Sequence, residues 1–215
     1  DQKINQAWGK FLRLHSINLV YAPFPILRPI EMEYVTTVWD ISHRRIDFSP
    51  EFNNIESWNK IEYTYNNTLP KATLIIVGSQ LLKKDLLQLY SILDERIKVL
   101  RFPNLIESLD WKKQADNEPN KLIVFFYPSR LWPHKNHKVL LRAFANLTPE
   151  YLARTKLTLS GLKKPEIIEL EKYLQKLELH EKVECLEYLS DFELEKQYLK
   201  SDVLIFPSLA GPDNL

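Results

Sequence analysis

Residues 121–144 read Lys-Leu-Ile-Val-Phe-Phe-Tyr-Pro-Ser-Arg-Leu-Trp-Pro-His-Lys-Asn-His-Lys-Val-Leu-Leu-Arg-Ala-Phe. Leu122 to Tyr127 is an unbroken apolar run, rich in aromatic and β-branched residues, which suits a strand buried on both faces. Pro128 to His134 carries two prolines and a serine and reads as a loop. From Asn136 onward, Val139, Leu140, Ala143, Phe144 and Leu147 recur at helical spacing, with Asn136 as the expected N-cap. The loop holds Arg130 and Lys135. In an open parallel sheet, ligands bind outside the carboxyl ends of the strands. A helix N-terminus there favours an anion. Two cations in that loop suit a diphosphate; the alternative is that both are solvated loop charges.

On either side, strand and helix alternate. Residues 4–15 are spaced for an amphipathic helix (Ile4, Ala7, Trp8, Phe11, Leu12, His15). Ile17 to Tyr21 reads as a short strand ended by Pro23 and Pro25. Tyr34 to Trp39 is a second strand, running into Asp40-Ile41-Ser42-His43-Arg44-Arg45. Ionisable residues just after a strand are placed to meet a ligand. Asp40 could orient a hydroxyl or act as a base, and His43 could exchange a proton near neutrality. The alternative is an aspartate cap above an arginine pair engaged in surface ion pairs. A helix over 56–69 carries aromatics, read as packing. Thr73 to Val77 is a strand. Ser79 caps a helix over Gln80–Ile92, with Leu82, Leu86, Leu89 and Leu93 on one face. Arg96 to Leu100 is another strand.

Composition changes at Phe102-Pro103-Asn104. Residues 105–119 read as a linker, and Asp116-Asn117-Glu118 as linker charge rather than a metal motif. Beyond the central stretch, Lys156–Ser160 is a strand stopped by Gly161. Pro165 opens a helix to about Leu179, with Ile168, Leu170, Leu174 and Leu177 inward. Lys182–Leu186 is a strand. Ser190 and Glu193 form a capping box for a helix to Leu199. Asp202–Phe206 is the last strand. Such alternation is the signature of parallel sheets. The expected organisation is α/β, with part of one Rossmann-like domain at 1–104, a linker at 105–119 and the first half of a second domain at 120–215. The chain opens on a helix with no strand before it and stops one loop after a strand, so both domains are expected to be incomplete.

The totals exclude several classes. The chain is 45% apolar and 27% charged, ordinary for a globular protein. With 29 basic and 28 acidic residues, net +1, nothing global draws it to nucleic acid or an anionic membrane. The single cysteine, Cys185, rules out a disulfide framework and a multi-cysteine zinc site, and its strand-like setting reads as a buried, inert thiol. No apolar stretch approaches the roughly 20 residues of a bilayer span. No signal peptide is read at Asp1, so a reducing, cytoplasmic setting is expected. There are four glycines, and neither Gly-x-Gly-x-x-Gly nor a Walker loop.

Ser129-Arg130-Leu131-Trp132-Pro133-His134-Lys135-Asn136, followed by Leu140-Leu141-Arg142-Ala143-Phe144, resembles the donor-site signature of the retaining glycosyltransferases of family four, which have the two-Rossmann-domain GT-B fold. Leu157-Thr158-Leu159-Ser160-Gly161, Val183 to Tyr188, Ser190 to Leu194 and Ser201 to Ser208 follow in the family's order. Thr37-Val38-Trp39-Asp40-Ile41 and Val77-Gly78-Ser79-Gln80 resemble its N-terminal domain. The resemblance implies transfer of a hexose from a GDP- or UDP-sugar to a glycan or lipid-linked acceptor in polysaccharide synthesis. It implies no metal, no further cofactor and no nucleic acid. A lipid-linked acceptor leaves room for peripheral contact with the inner membrane face.

Carried over, Arg130 and Lys135 contact the donor diphosphate. Asp40 and His43 face the acceptor or the sugar across an interdomain cleft, as the catalytic pair. Ser129, Ser208, Gly211, Asp213 and Asn214 approach the donor. Two departures stand out. Trp39 occupies the place where many relatives have histidine. Of the family's two glutamates, the first falls on Gly211 and the second beyond Leu215, so the chain as given is not expected to turn over. Two other readings share the architecture: a GT-B sugar-nucleotide epimerase, and a non-catalytic fragment that binds a nucleotide-sugar.

Overall fold

The structure, a computed structural model, describes residues 2–26, 28–45, 54–101 and 122–209. The expected linker at 105–119, Asp116-Asn117-Glu118 within it, and the donor-side positions Gly211, Asp213 and Asn214 lie outside the described residues. The described residues fall into two compact units, one up to 101 and one from 122. Each has its own sheet.

The first unit runs α1 (Gln2–Leu14), β1 (Leu19–Ala22), β2 (Glu33–Val38), α2 (Ser42–Arg45), α3 (Ile55–Thr68), β3 (Leu74–Val77), α4 (Gln80–Leu89) and β4 (Ile97–Val99). Its four strands are parallel, in the order β1-β2-β3-β4. Its core gathers Tyr34 and Val38 of β2, Ile75 and Val77 of β3, and Leu82 and Leu86 of α4. Burying one such side chain stabilises by about 1.5–3 kcal/mol. Buried Thr36 accepts from the Ile26 amide and donates to the Phe24 carbonyl, both at 3.1 Å, which pins the turn after β1.

Two sequence expectations in this unit change. The α1 helix forms, but Trp8 and Phe11 are 56% and 52% exposed, and they pack edge-on against each other instead of into a core. The helix is seated through Gly9, where a Cβ would come within 2.8 Å of the Glu31 carbonyl oxygen. The α4 helix ends at Leu89 rather than Ile92. Tyr90 leaves the helix in an extended conformation (φ −130°, ψ 147°), and its hydroxyl reaches a buried carboxylate. Leu82 and Leu86 are buried as expected, but Leu89 and Leu93, stranded by that early stop, are exposed.

The second unit runs β5 (Ile123–Pro128), α5 (His137–Ala145), α6 (Pro149–Ala153), β6 (Thr155–Leu162), α7 (Lys164–Lys176), β7 (Val183–Glu187), α8 (Asp191–Lys200) and β8 (Val203–Leu204). All strands are parallel, in the order β7-β6-β5-β8. The chain builds outward from β5 to β6 and β7, then returns to the other side of β5. The strand order therefore reverses between β5 and β8, which is where ligands bind in open α/β sheets. The apolar run of β5 is buried at Phe126 and Tyr127 and half-buried at Val124 and Phe125, while Leu122 and Ile123 at its start are exposed. Phe125 meets Phe144 of α5 edge-on at 5.2 Å, and Phe126 meets Tyr198 of α8 at 5.3 Å.

Four local readings are revised here. Gly161 does not stop β6. It sits inside the strand at φ +89°, with the register to β7 shifting between Leu159 and Leu162. A Cβ there would lie 3.3 Å from the Ser129 carbonyl carbon, so glycine lets the end of β6 come up against the loop after β5. On α7, Ile168 faces outward at 55% exposure and Ile167 packs in its place. The last strand pairs over Val203–Leu204, although the amides of Asp202 and Ile205 still bond to Val124 and Phe126. Finally, α6 has no counterpart in the sequence reading. The Ser190 box forms as expected: Ser190 Oγ accepts from the Glu193 amide, and Glu193 Oε2 accepts from the Ser190 amide.

Candidate active site

In the second unit, the loop after β5 holds Ser129, Arg130 and Lys135. Residues 205–209 follow β8, its neighbour. The Ser129 amide donates to Ser160 at 2.9 Å, which fixes the loop's origin. Arg130 is exposed, its guanidinium 5.7 Å from the Trp132 ring centre. A 3₁₀ turn over Pro133–Lys135 leads into α5. Asn136 is not the side-chain cap that the sequence suggests. It adopts the left-handed conformation (φ 60°, ψ 32°) that turns the chain into the helix, and its side-chain amide donates to the Pro207 carbonyl at 3.1 Å.

Those last contacts join two loops. The Tyr127 hydroxyl donates to the Lys135 carbonyl at 2.9 Å and pairs with Ser208 Oγ at 2.7 Å. The Leu209 amide donates to the His134 carbonyl at 2.8 Å. The structure thus brings Lys135 and Ser208 together around Tyr127, at the mouth of the sheet where the strand order reverses.

His137, the first residue of α5, is 2% exposed and stacks on Tyr127 at 4.9 Å. Neither ring nitrogen has a hydrogen-bond partner. Burial pushes its pKa down to about 4. The ring is therefore neutral in the fold near pH 7. Because this pKa lies below that of the unfolded chain, its stabilising share is full above about pH 6.5 and fades as pH falls toward 4. The expected loss is about 3 kcal/mol by pH 4. Denaturation midpoints measured from pH 7.5 to 4 test this: His137→Leu should remove about one proton of slope from that range.

In the first unit, Asp40 follows β2. Its Oδ1 accepts from the Ser42 amide at 2.8 Å, capping the short α2, and its carbonyl accepts from the Tyr65 hydroxyl at 3.2 Å. His43 is 3% exposed, with Nε2 2.7 Å from Glu62 Oε1. It lies in the interior, not at a surface where an acceptor could reach it. Glu62 also accepts from Arg44 Nε at 2.6 Å, Arg44 Nη2 at 2.5 Å, Tyr90 at 2.9 Å and Asn66 at 3.2 Å. Burial alone would raise the pKa of this carboxyl. The hydrogen bonds from Arg44, His43 and Tyr90 outweigh it and bring the pKa down to about 2. The His43 pKa is lowered by burial, against the pull of Glu62. The Arg44 guanidinium lies over Trp58 and Tyr90, and Arg45 pairs with Asp85.

Glu62, Tyr90, Tyr127 and His137 organise these segments, and none stands out in the sequence. The signal that was there lies in α3. Its Trp58 and Tyr65, read as packing, send their polar tips to the backbone of His43 and Asp40. Elsewhere, a cavity of about 200 Å³ between α7 and β7 is lined by Glu171, Leu174, Gln175, His180, Val183 and Cys185. It lies at the opposite edge of the sheet from β8 and contains none of the site residues. Burial raises the Cys185 pKa to about 11, so that thiol is no nucleophile.

Two parallel α/β sheets, one with a cation-bearing loop at its switch point, define a twin Rossmann-like protein of the GT-B type. Residues 110–212 match the family model described as "Glycosyl transferases group 1". Among solved structures, sucrose-phosphate synthase from Thermosynechococcus elongatus is similar at 16% identity and a TM-score of 0.72, over 100% of this chain and 56% of that one. Anabaena HepE in complex with UDP-glucose is similar at 21% identity and a TM-score of 0.60, over 94% and 56%. WaaG, a glycosyltransferase involved in lipopolysaccharide biosynthesis, is similar at 13% identity and a TM-score of 0.65, over 93% and 55%. At these identities the likeness is one of fold. The chain spans about half the length of these structures. No curated protein matches it in sequence.

Proposed function

We propose that this protein is a glycosyltransferase that moves a hexose from a nucleoside-diphosphate sugar to a glycan or lipid-linked acceptor. The observation that carries this reading is the joined pair of loops at the β5/β8 switch point, with Arg130 and Lys135 ahead of the N-terminus of α5. As the bond from the anomeric carbon to the diphosphate oxygen breaks, negative charge grows on the leaving diphosphate. Two cations and a helix N-terminus stabilise that charge where it forms. We assign Ser129 and Ser208 to the rim of this donor site, and we include Gly211, Asp213 and Asn214 in the assignment from the resemblance alone.

The UDP-glucose bound to HepE makes a UDP-sugar the first donor to try, with a GDP-sugar next. The role of WaaG points toward surface glycans as the acceptor class. Cationic side chains that neutralise the diphosphate let the reaction proceed without a metal, and retention at the anomeric carbon is assigned from the resemblance alone. In this reading Asp40 contacts the acceptor or the sugar, while His43 supports its segment from within. The protein is cytoplasmic and meets the membrane at most peripherally. No helix among the described residues is long and apolar enough to cross one.

The test is incubation with labelled UDP-glucose, and separately GDP-mannose, with and without an acceptor glycan and EDTA. For a protein that carries both domains whole, acceptor-dependent release of nucleoside diphosphate that survives EDTA is the expected result. A donor isomerised without any acceptor would identify an epimerase. Binding without turnover would identify a nucleotide-sugar-binding protein.

A further inference from the structure

Tyr127 is fully buried, on the central strand of the second sheet. Its ring is held between His137 at 4.9 Å and Phe206 at 5.8 Å, so it cannot swing away. The ring fills core volume, and a phenylalanine would do that equally well. The hydroxyl is different. A buried hydroxyl is costly unless it is paired, and both of its partners belong to the loops: the Lys135 carbonyl and Ser208 Oγ. The protons balance, since Tyr127 donates to Lys135 and Ser208 donates to Tyr127. Two more bonds run alongside, Asn136 to Pro207 and Leu209 to His134.

We propose that Tyr127 is a positioning residue whose hydroxyl clamps residues 129–136 to residues 205–209, forming one preset rim for the donor diphosphate. The clamp stands on the geometry alone; its part in catalysis rests on the donor-site reading above. Buried as it is, Tyr127 touches no ligand. It acts by ordering the Lys135 backbone before the ligand arrives, so that binding need not meet that ordering cost.

Tyr127→Phe keeps the ring and deletes the clamp, and Ser208→Ala deletes half of it. Two readouts apply to each: amide hydrogen exchange without ligand, and calorimetric affinity for UDP. Exchange at Leu209 and across 129–136 should rise about tenfold, the worth of one hydrogen bond, with Leu157 and Leu159 of β6 unchanged. The Kd for UDP should rise by a similar factor in Tyr127→Phe.

Unchanged loop exchange, or a rise spread evenly over β6, overturns the clamp. Loosened loops with unaltered UDP affinity, in a protein whose Arg130→Ala variant loses UDP, overturn the positioning role and leave the donor site standing. If the unaltered protein binds neither UDP nor GDP, the donor reading falls and the positioning role falls with it, while loop exchange still decides the clamp. Should Tyr127→Phe fail to fold, Ser208→Ala carries both readouts.

Discussion

In a protein that carries both of the proposed glycosyltransferase domains whole, replacing Arg130 or Lys135 by alanine should lower sugar transfer by about 100-fold or more, the scale seen when one stabiliser of developing charge is removed. That corresponds to about 2.7 kcal/mol of transition-state stabilisation. The loss should appear in kcat/KM while the fold persists. Arg130 is exposed beside Trp132, and the link from Lys135 to Tyr127 uses its backbone carbonyl, which alanine retains. Steady-state rates with the preferred donor, taken together with thermal midpoints, separate the two effects. Near-normal rates in both variants would remove these residues from the donor site.

Glu62→Leu should cost about 3 kcal/mol or more, the usual scale for removing one member of a buried charged pair. The change strands His43, Arg44, Tyr90 and Asn66 at once, all of which donate to this carboxylate. Urea midpoints measure it. The control is Arg45→Ala, which breaks a more exposed pair with Asp85 and should cost under about 1 kcal/mol. Acid has a related but smaller effect on the unaltered protein. The Glu62 pKa sits below its unfolded value, so its contribution is complete above about pH 4.5 and drains away as pH falls toward 2. A Glu62→Leu variant as stable as the parent would mean that this network contributes nothing net.

The two-sheet architecture was legible because parallel strands are buried on both faces and announce themselves as apolar runs. Strands β2, β3 and β5 were found within a residue or two on that basis. Capping chemistry was equally visible where a single side chain does the work, as at Ser79 and Ser190. What escaped depends on partners far away in the chain. Nothing local says that Tyr90 will break α4 to reach Glu62, 28 residues earlier. Nothing local turns Asn136 into a left-handed hinge tied to Pro207, 71 residues later. Gly161 looked like a stop because glycine usually ends strands. Only the approach of Ser129 explains why β6 continues through it. The site residues divide the same way. Arg130 and Lys135 lie in the loop after β5, where the sequence put them, whereas the interior position of His43 is set by Glu62 and the aromatics of α3, across a gap that sequence does not reveal.

The late return of β8 to the flank of β5 also sets an order of assembly. Strands β5, β6 and β7 pair with their neighbours in sequence and can zip up as they leave the ribosome. Val203 and Leu204 must instead find Phe125 and Phe126, 78 residues back, and such distant contacts form slowly. Among the described elements of this unit, the join between residues 129–136 and 205–209 is therefore the last to form. A nascent chain stopped short of residue 209 would hold β5, β6 and β7 paired and would still lack the bonds that tie residues 205–209 to the loop after β5.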